Sequence, residues 1–186
     1  VVNTNFSDNL PASPLHWIIS KGEESLVLEC TKSGMKVHDN PFGVLTNNPT
    51  FDYHLTNINN YMGLFEGAAE NKLCPEKPLD NYSLGLGALG LPGDFSSSSR
   101  FVKTVFLKQK SVCGSNEKES VNQFFHILSA VAMPKGCVMT RSGEYEYTRY
   151  SCCINTDKKV FYYKTYNNST IRKVDICSAD LDGDKL

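Results

Sequence analysis

FGVLTNNPTFDYHLTNINNYMGL, the stretch from Phe42 to Leu64, decides the fold. Its opening, FGVLT, has the apolar and β-branched composition of a strand. Beyond the polar break at Asn47-Asn48-Pro49, apolar side chains instead recur at the spacing of one helix face, at Phe51, Leu55, Ile58 and Met62. This change of period predicts a strand that leads directly into a helix, and Gly63 is expected to end that helix.

Asparagine occupies both positions before the proline of this stretch. Pro49 suits the first position of a helix, where an N–H would have no partner anyway, so Asn48 is expected to be the N-cap. Asn47 would then end the strand with its side-chain amide available to donate a hydrogen bond elsewhere. Asn47 is therefore a candidate site residue, although the second asparagine of an ordinary turn would look the same.

Strands are predicted at both ends of the chain and helices between them. A meander of short-turn strands precedes the central stretch: LHWIIS from Leu15, SLVLEC from Ser25, MKVHD from Met35 and FGVLT from Phe42. Further strands are expected at 137–140, from Tyr145, from Lys159 and from Thr170. The order of strands, helices and strands predicts an α+β domain with antiparallel sheet.

A long loop and two helices fill the middle of the chain. Residues 63–95 are rich in glycine and proline, and a loop of this length is expected to be functional or to clasp a neighbouring subunit. One helix should begin after Ser96 to Ser99 and another should run from about 120 to 133. Their apolar faces should pack together through Phe101, Val102, Val105 and Phe106 on the first, and Val121, Phe124, Phe125, Leu128 and Val131 on the second.

Arg100 lies just inside the start of the first of these two helices. The helix dipole is positive at that end and disfavours a cation there. Arg100 is either a surface arginine tolerated at small cost or a positive charge aimed into a site.

Composition limits the partners that the chain can have. Nineteen Lys and Arg against twenty Asp and Glu give a net charge of −1, which supplies no basic field for nucleic acid or an anionic membrane. No apolar run approaches the ~20 residues that span a bilayer. We therefore expect a protein with neither a nucleic-acid nor a membrane partner.

The seven cysteines are odd in number, widely spaced and without a C-x-x-C pair. This pattern argues against a disulfide framework and against a zinc site, and it favours the reducing cytoplasm, with most thiols serving as small apolar fillers. No metal or cofactor is expected. The histidines lie in no recognisable catalytic signature and are interpreted as ordinary structural or half-exposed side chains: His16, His38, His54 and His126.

Four segments resemble the choloylglycine hydrolase family, and specifically the conjugated bile salt hydrolases. They are the central stretch from Phe42 to Leu64, GLPGDFSSSSRFVK from Gly90, FFHILSAVAM from Phe124, and YTRYSCCINTDKKVFYYKTYNN from Tyr147. The likeness covers essentially the whole chain. It implies an N-terminal-nucleophile hydrolase with a four-layer αββα sandwich, whose catalytic cysteine becomes the first residue once the initiating Met is removed.

The resemblance also assigns roles to residues. Asn47 matches the asparagine that stabilises the oxyanion, and Arg100 matches the active-site arginine that favours the thiolate. Phe6 and Leu10 match apolar residues of a loop that touches the steroid, although they could equally anchor that loop to the core. Both Asn47 and Arg100 are expected to face the catalytic thiol.

The resemblance leaves the nucleophile outside this chain. Residue 1 is Val, and the first residues, VVNTNFSDNLP, carry neither an initiating Met nor a signal-peptide pattern. We expect residues 1–186 to be the C-terminal portion of a single domain, inactive alone and completed by the N-terminal portion of the same enzyme.

The expected enzyme splits the amide between a bile acid and glycine or taurine, in a cytoplasmic homo-oligomer that by resemblance is a tetramer. Two alternatives stay open. One is a penicillin V acylase of the same family, and the other is a non-catalytic fragment or relative that acts as a binding or assembly module.

Overall fold

The computed structural model describes residues 15–31 and 33–178. Phe6 and Leu10 lie outside the described residues. The chain divides into two compact units, Val1–Gly63 and Leu64–Leu186, and each is described by itself.

The first unit contains an antiparallel meander and one helix. The strands pair in the order β1-β2-β3, and the helix α1 continues into a short 3-10 helix. Their bounds are His16–Lys21 for β1, Glu24–Thr31 for β2, Gly34–Asp39 for β3, Phe51–Asn57 for α1 and Ile58–Tyr61 for the 3-10 helix. Three of the four predicted strands are thus confirmed.

The fourth predicted strand, FGVLT, is wrong, because residues 42–46 form a turn and an irregular segment. The buried Asn40 side chain accepts from the Gly43 N–H at 3.0 Å and donates to the Val44 carbonyl at 3.1 Å. Gly43 has φ 58°, in the left-handed region that favours glycine. Backbone groups that a strand would use for pairing are therefore bound locally by Asn40.

The predicted start of α1 is also wrong. The N-cap is Thr50 and the first helical residue is Phe51, and the Asn48–Pro49 peptide bond is cis. The Phe51 N–H donates to both carboxylate oxygens of Glu29 on β2, at 2.9 and 3.0 Å. The helix therefore begins at the residue whose N–H the meander can bind, two positions later than predicted.

The second unit opens with the long loop, which within residues 64–96 has only one short 3-10 helix, Leu86–Ala88. Gly87 holds this loop together: its N–H donates to the Gly67 carbonyl at 3.2 Å, and its carbonyl accepts from the Phe65 N–H at 3.0 Å. A Cβ at position 87 would lie 2.5 Å from the Gly67 oxygen. Only glycine permits this approach.

Helices and two further sheets complete the second unit, and the strands β6, β7 and β8 pair antiparallel in chain order. The bounds are Ser97–Lys110 for α2, Glu117–Ser129 for α3, Val138–Met139 for β4, Tyr145–Glu146 for β5, Tyr150–Asn155 for β6, Val160–Thr165 for β7 and Asn168–Asp175 for β8. A 3-10 helix, Ile176–Ser178, follows β8. The predicted combination of helices with antiparallel strands is confirmed.

The two helices contact each other as predicted, and the core of the unit includes Phe101, Val102, Val105 and Phe125. Phe124, predicted to face inward, is 46% exposed. Neighbouring residues on a helix point about 100° apart, so only one of the two phenylalanines is buried.

At the N-terminus of α3, Glu117 accepts from the Asn155 amide at 2.7 Å, the Lys158 ammonium at 2.7 Å and the Tyr162 hydroxyl at 2.9 Å.

The described residues also bear on membrane spans, metal sites and disulfides. No described helix is long and apolar enough to cross a membrane. Residues 15–31 and 33–178 contain no group of three His, Cys, Asp or Glu side chains suited to a metal ion. All seven cysteines are free thiols, and the interpretation of most as buried fillers is wrong, since four are exposed: Cys30, Cys113, Cys137 and Cys177.

Candidate active site

Asn47 lies in the irregular segment between β3 and α1 and is exposed. Its main-chain carbonyl is 3.0 Å from Nε2 of His54, which belongs to α1. A carbonyl oxygen only accepts, so Nε2 carries the proton and donates. Hydrogen bonds of the Asn40 side chain fix the beginning of this segment, and the hydrogen bond from His54 fixes its backbone at Asn47. The Asn47 side chain is therefore attached to a restrained backbone.

His54 is completely buried, at 0% exposure. It lies three residues after Phe51, which is buried to the same extent, and positions i and i+3 share one face of a helix. The sequence interpretation treated His54 as an ordinary histidine and missed this contact. The helical spacing from Phe51 was the signal that could have placed His54 on the buried face.

Beneath the start of α1, Glu29 is the centre of a buried polar cluster. Glu29 is 5% exposed, and its oxygens lie 3.5 Å from Nδ1 of His16 and 3.5 Å from Nε2 of His38. The other ring nitrogen of His38, Nδ1, lies 3.3 Å from the Asp52 carboxylate. The Lys36 ammonium lies 3.0 Å from the same carboxylate. A hydrogen bond from Lys36 lowers the pKa of Asp52. These links join β1, β2, β3 and α1 across gaps in the chain, so local sequence patterns do not predict them.

Arg100 is the fourth residue of α2 and is partly buried. Its Nε donates to the Phe95 carbonyl at 3.1 Å, so the side chain bends back toward the helix N-terminus. Burial lowers the pKa of the guanidinium, and the charge of Glu146 on β5 opposes that shift. Arg100 is therefore a partly desolvated cation.

A carboxylate offsets the cost of a cation at this helix end. Asp94, just before the N-cap Ser96, accepts from the Ser96 N–H at 2.8 Å and from the Ser99 hydroxyl at 2.5 Å. Hydrogen bonds from Ser96 and Ser99 lower the pKa of Asp94 to about 2. The negative charge of Asp94 lies where the helix dipole favours an anion.

Asn47 and Arg100 therefore lie on separate units, each on a backbone held by hydrogen bonds. A side-chain amide can donate to an oxygen that gains negative charge during a reaction, and a partly buried guanidinium can stabilise a nearby anion. Groups of these two kinds can take part in acyl transfer from an amide.

Residues 1–186 match the family model of linear amide C–N hydrolases, the choloylglycine hydrolase family. All 186 residues align with the bile salt hydrolase/transferase of Lactiplantibacillus plantarum at 50% identity. The bile salt hydrolase/transferase of Clostridium perfringens is 40% identical, again over the whole chain. The chain spans 57% of the length of each of these curated relatives.

Two solved structures are similar in fold. A mutant of the conjugated bile acid hydrolase from Clostridium perfringens gives a TM-score of 0.81 at 41% identity, covering 96% of this chain and 55% of that one. The penicillin V acylase from Agrobacterium tumefaciens gives a TM-score of 0.64 at 19% identity, covering 85% and 44% respectively. The predicted α+β, N-terminal-nucleophile hydrolase fold class is thereby confirmed. The chain belongs to the choloylglycine hydrolase family of linear amide C–N hydrolases.

Proposed function

We propose that this chain is the C-terminal portion of a cytoplasmic bile salt hydrolase, which splits the amide joining a bile acid to glycine or taurine. The observation that carries the proposal is the 50% identity, over all 186 residues, to the bile salt hydrolase/transferase of Lactiplantibacillus plantarum. Because the chain spans 57% of that relative's length, the remaining machinery is assigned to an N-terminal portion of the same enzyme.

In the proposed reaction, an N-terminal cysteine thiolate from that portion attacks the amide carbon. The carbonyl oxygen becomes an oxyanion, and the side-chain amide of Asn47 donates to it. The carbon–nitrogen bond then breaks, the free α-amino group delivers a proton to the departing glycine or taurine, and a thioester forms. Water attacks the thioester, releases the bile acid and restores the thiol.

Asn47 suits this role because its backbone is held by His54 at 3.0 Å. The side-chain donor can then occupy one position before the charge develops. Arg100 is assigned the second role: its partly buried positive charge stabilises the thiolate and lowers the pKa of the cysteine. Phe6 and Leu10 are assigned to the apolar wall that contacts the steroid.

Penicillin V acylase is the nearest rival activity. The structure of that name is only 19% identical to this chain, whereas the bile salt hydrolases reach 50% and 40%. The full-length protein should therefore be incubated in parallel with glycocholate and with penicillin V. Faster release of glycine than of phenoxyacetate is expected, and the reverse order would overturn the bile salt assignment. A full-length protein without a cysteine after its initiating Met would instead favour the non-catalytic binding module.

We also propose that the enzyme is a homo-oligomer, with a tetramer as the expected state. The long loop exposes several large apolar side chains that a neighbouring subunit would cover: Leu73, Leu79, Tyr82, Leu84 and Leu89. Sedimentation velocity on the full-length protein tests this. A fully active monomer would contradict it.

A further inference from the structure

We infer that His54 is a positioning residue for Asn47, and that it acts on the rate of amide cleavage through the Asn47 backbone. The inference rests on the proposed function, because it assigns a support to the proposed oxyanion donor.

The contact has the properties that such a support requires. The His54 side chain is 0% exposed and its Nε2 donates to the Asn47 carbonyl at 3.0 Å. The donating ring is shielded from water by burial, whereas the accepting residue Asn47 is exposed. The hydrogen bond restrains the peptide that follows Asn47, and with it the direction in which the Asn47 side chain leaves the backbone.

The support is itself anchored. His54 belongs to α1, whose first N–H is bound by the buried Glu29 carboxylate at 2.9 and 3.0 Å. Because Glu29 lies on β2, the position of the imidazole is set by the meander. The Asn47 carbonyl is thus tied through one helix to the sheet of the first unit.

A donor aimed at a developing oxyanion stabilises the transition state more than the bound substrate. Misplacing it by a fraction of an ångström removes part of that stabilisation, while substrate affinity depends on other contacts. Loss of the His54 donor should therefore lower kcat and leave KM nearly unchanged.

Three substitutions in the full-length protein separate the donor from the bulk of the ring. His54→Gln keeps an N–H that can reach the Asn47 carbonyl, His54→Asn has an amide that is too short, and His54→Leu has none. We expect about a tenfold or greater loss of kcat on glycocholate for His54→Leu and His54→Asn, with KM within about twofold, and recovery of most of kcat in His54→Gln. His126→Leu, at an exposed histidine on α3, is the matched control and should leave kcat unchanged.

A double mutant gives a readout that a purely structural role would not move. In an Asn47→Ala background there is no side-chain amide to position, so adding His54→Leu should produce no further loss of kcat. An additive loss would overturn the inference. So would an unchanged kcat in folded His54→Leu, or a His54→Gln enzyme as slow as His54→Leu.

Folding and activity controls make every outcome decisive. Circular dichroism and thermal unfolding are measured on each variant, and failure of both His54→Leu and His54→Asn to fold would assign the contact to stability alone and overturn the positioning role. A wild-type protein that releases neither glycine from glycocholate nor taurine from taurocholate would overturn the proposed function, and the inference with it. If the wild type is active and the His54 variants keep its kcat, only the inference is overturned.

Discussion

Asp94→Asn tests how the N-terminus of α2 is held. The Asp94 carboxylate accepts from the Ser96 N–H at 2.8 Å and from the Ser99 hydroxyl at 2.5 Å. Asparagine keeps one oxygen but replaces the other with an N–H₂ group, which cannot accept from Ser99. The substitution also removes the negative charge that the helix dipole favours at this end. We expect the full-length protein to lose stability.

The size of the loss follows from the pKa. Hydrogen bonds from Ser96 and Ser99 lower the pKa of Asp94 from 3.8 to about 2, which corresponds to at most about 2.5 kcal/mol of stabilisation by the charged form. Asp94 is exposed, and solvent screening reduces that figure to about 1 kcal/mol. Because the folded pKa lies below the unfolded one, the contribution is complete above pH 3.8 and is lost as the pH falls toward about 2.

Urea unfolding of wild type and variant at pH 7 and pH 3 measures both predictions. The free energies of unfolding should differ by about 1 kcal/mol at pH 7 and by clearly less at pH 3. Asp80→Asn, an exposed position in the same unit, is the matched control and should cost little. Equal losses at the two pH values, or an equal loss in the control, would refute the assignment of the stabilisation to the Asp94 carboxylate.

Three further predictions concern the site, α3 and the long loop. Asn47→Ala should lower kcat about 100-fold with little change in KM, because the amide acts on charge that develops in the transition state; steady-state kinetics on glycocholate checks this, and an unchanged kcat would rule the role out. Glu117→Gln should lower the melting temperature at pH 7. A hydrogen bond from Lys158 is the main cause that lowers the pKa of Glu117 below its ordinary value of 4.5. The difference in melting temperature between wild type and variant should therefore shrink as the pH falls through this lowered pKa, and melting curves measured down to pH 3 would show it. Gly87→Ala would bring a Cβ to 2.5 Å from the Gly67 oxygen, so limited proteolysis should cut the 64–95 loop faster than in wild type.

Elements whose pattern is local could be predicted from the sequence. The three strands of the meander, α2 with its buried stripe, β7 and β8 follow from periodicity and turns. The single strand predicted from Tyr145 is wrong in extent, because the structure divides it into β5 and β6. The failures have long-range or side-chain causes. The composition of FGVLT cannot show that Asn40 binds the backbone of Gly43 and Val44. The start of α1 is set by Glu29, which precedes Phe51 by 22 residues.

The residues of the candidate site also differ in whether a local sequence pattern could predict them. Arg100 attracted attention because a cation is out of place at a helix start, and the structure shows Asp94 bound to Ser96 beside it. The local argument for Asn47 was wrong, since Asn48 is not the N-cap, and Asn47 remains a prediction that rests on the family resemblance. Helical spacing from Phe51 could have placed His54 on the buried face, but no sequence pattern shows that its partner is the main-chain carbonyl of Asn47.

The shortness of α1 has a consequence for how the protein is made. A helix of seven residues does not persist in water by itself, and this one depends on a carboxylate from β2 for its first N–H. Since β2 leaves the ribosome before α1, the sheet can form before the helix, whereas α1 is not stable until the sheet has formed. Within the first unit, the peptide around Asn47 should therefore take its shape last during translation.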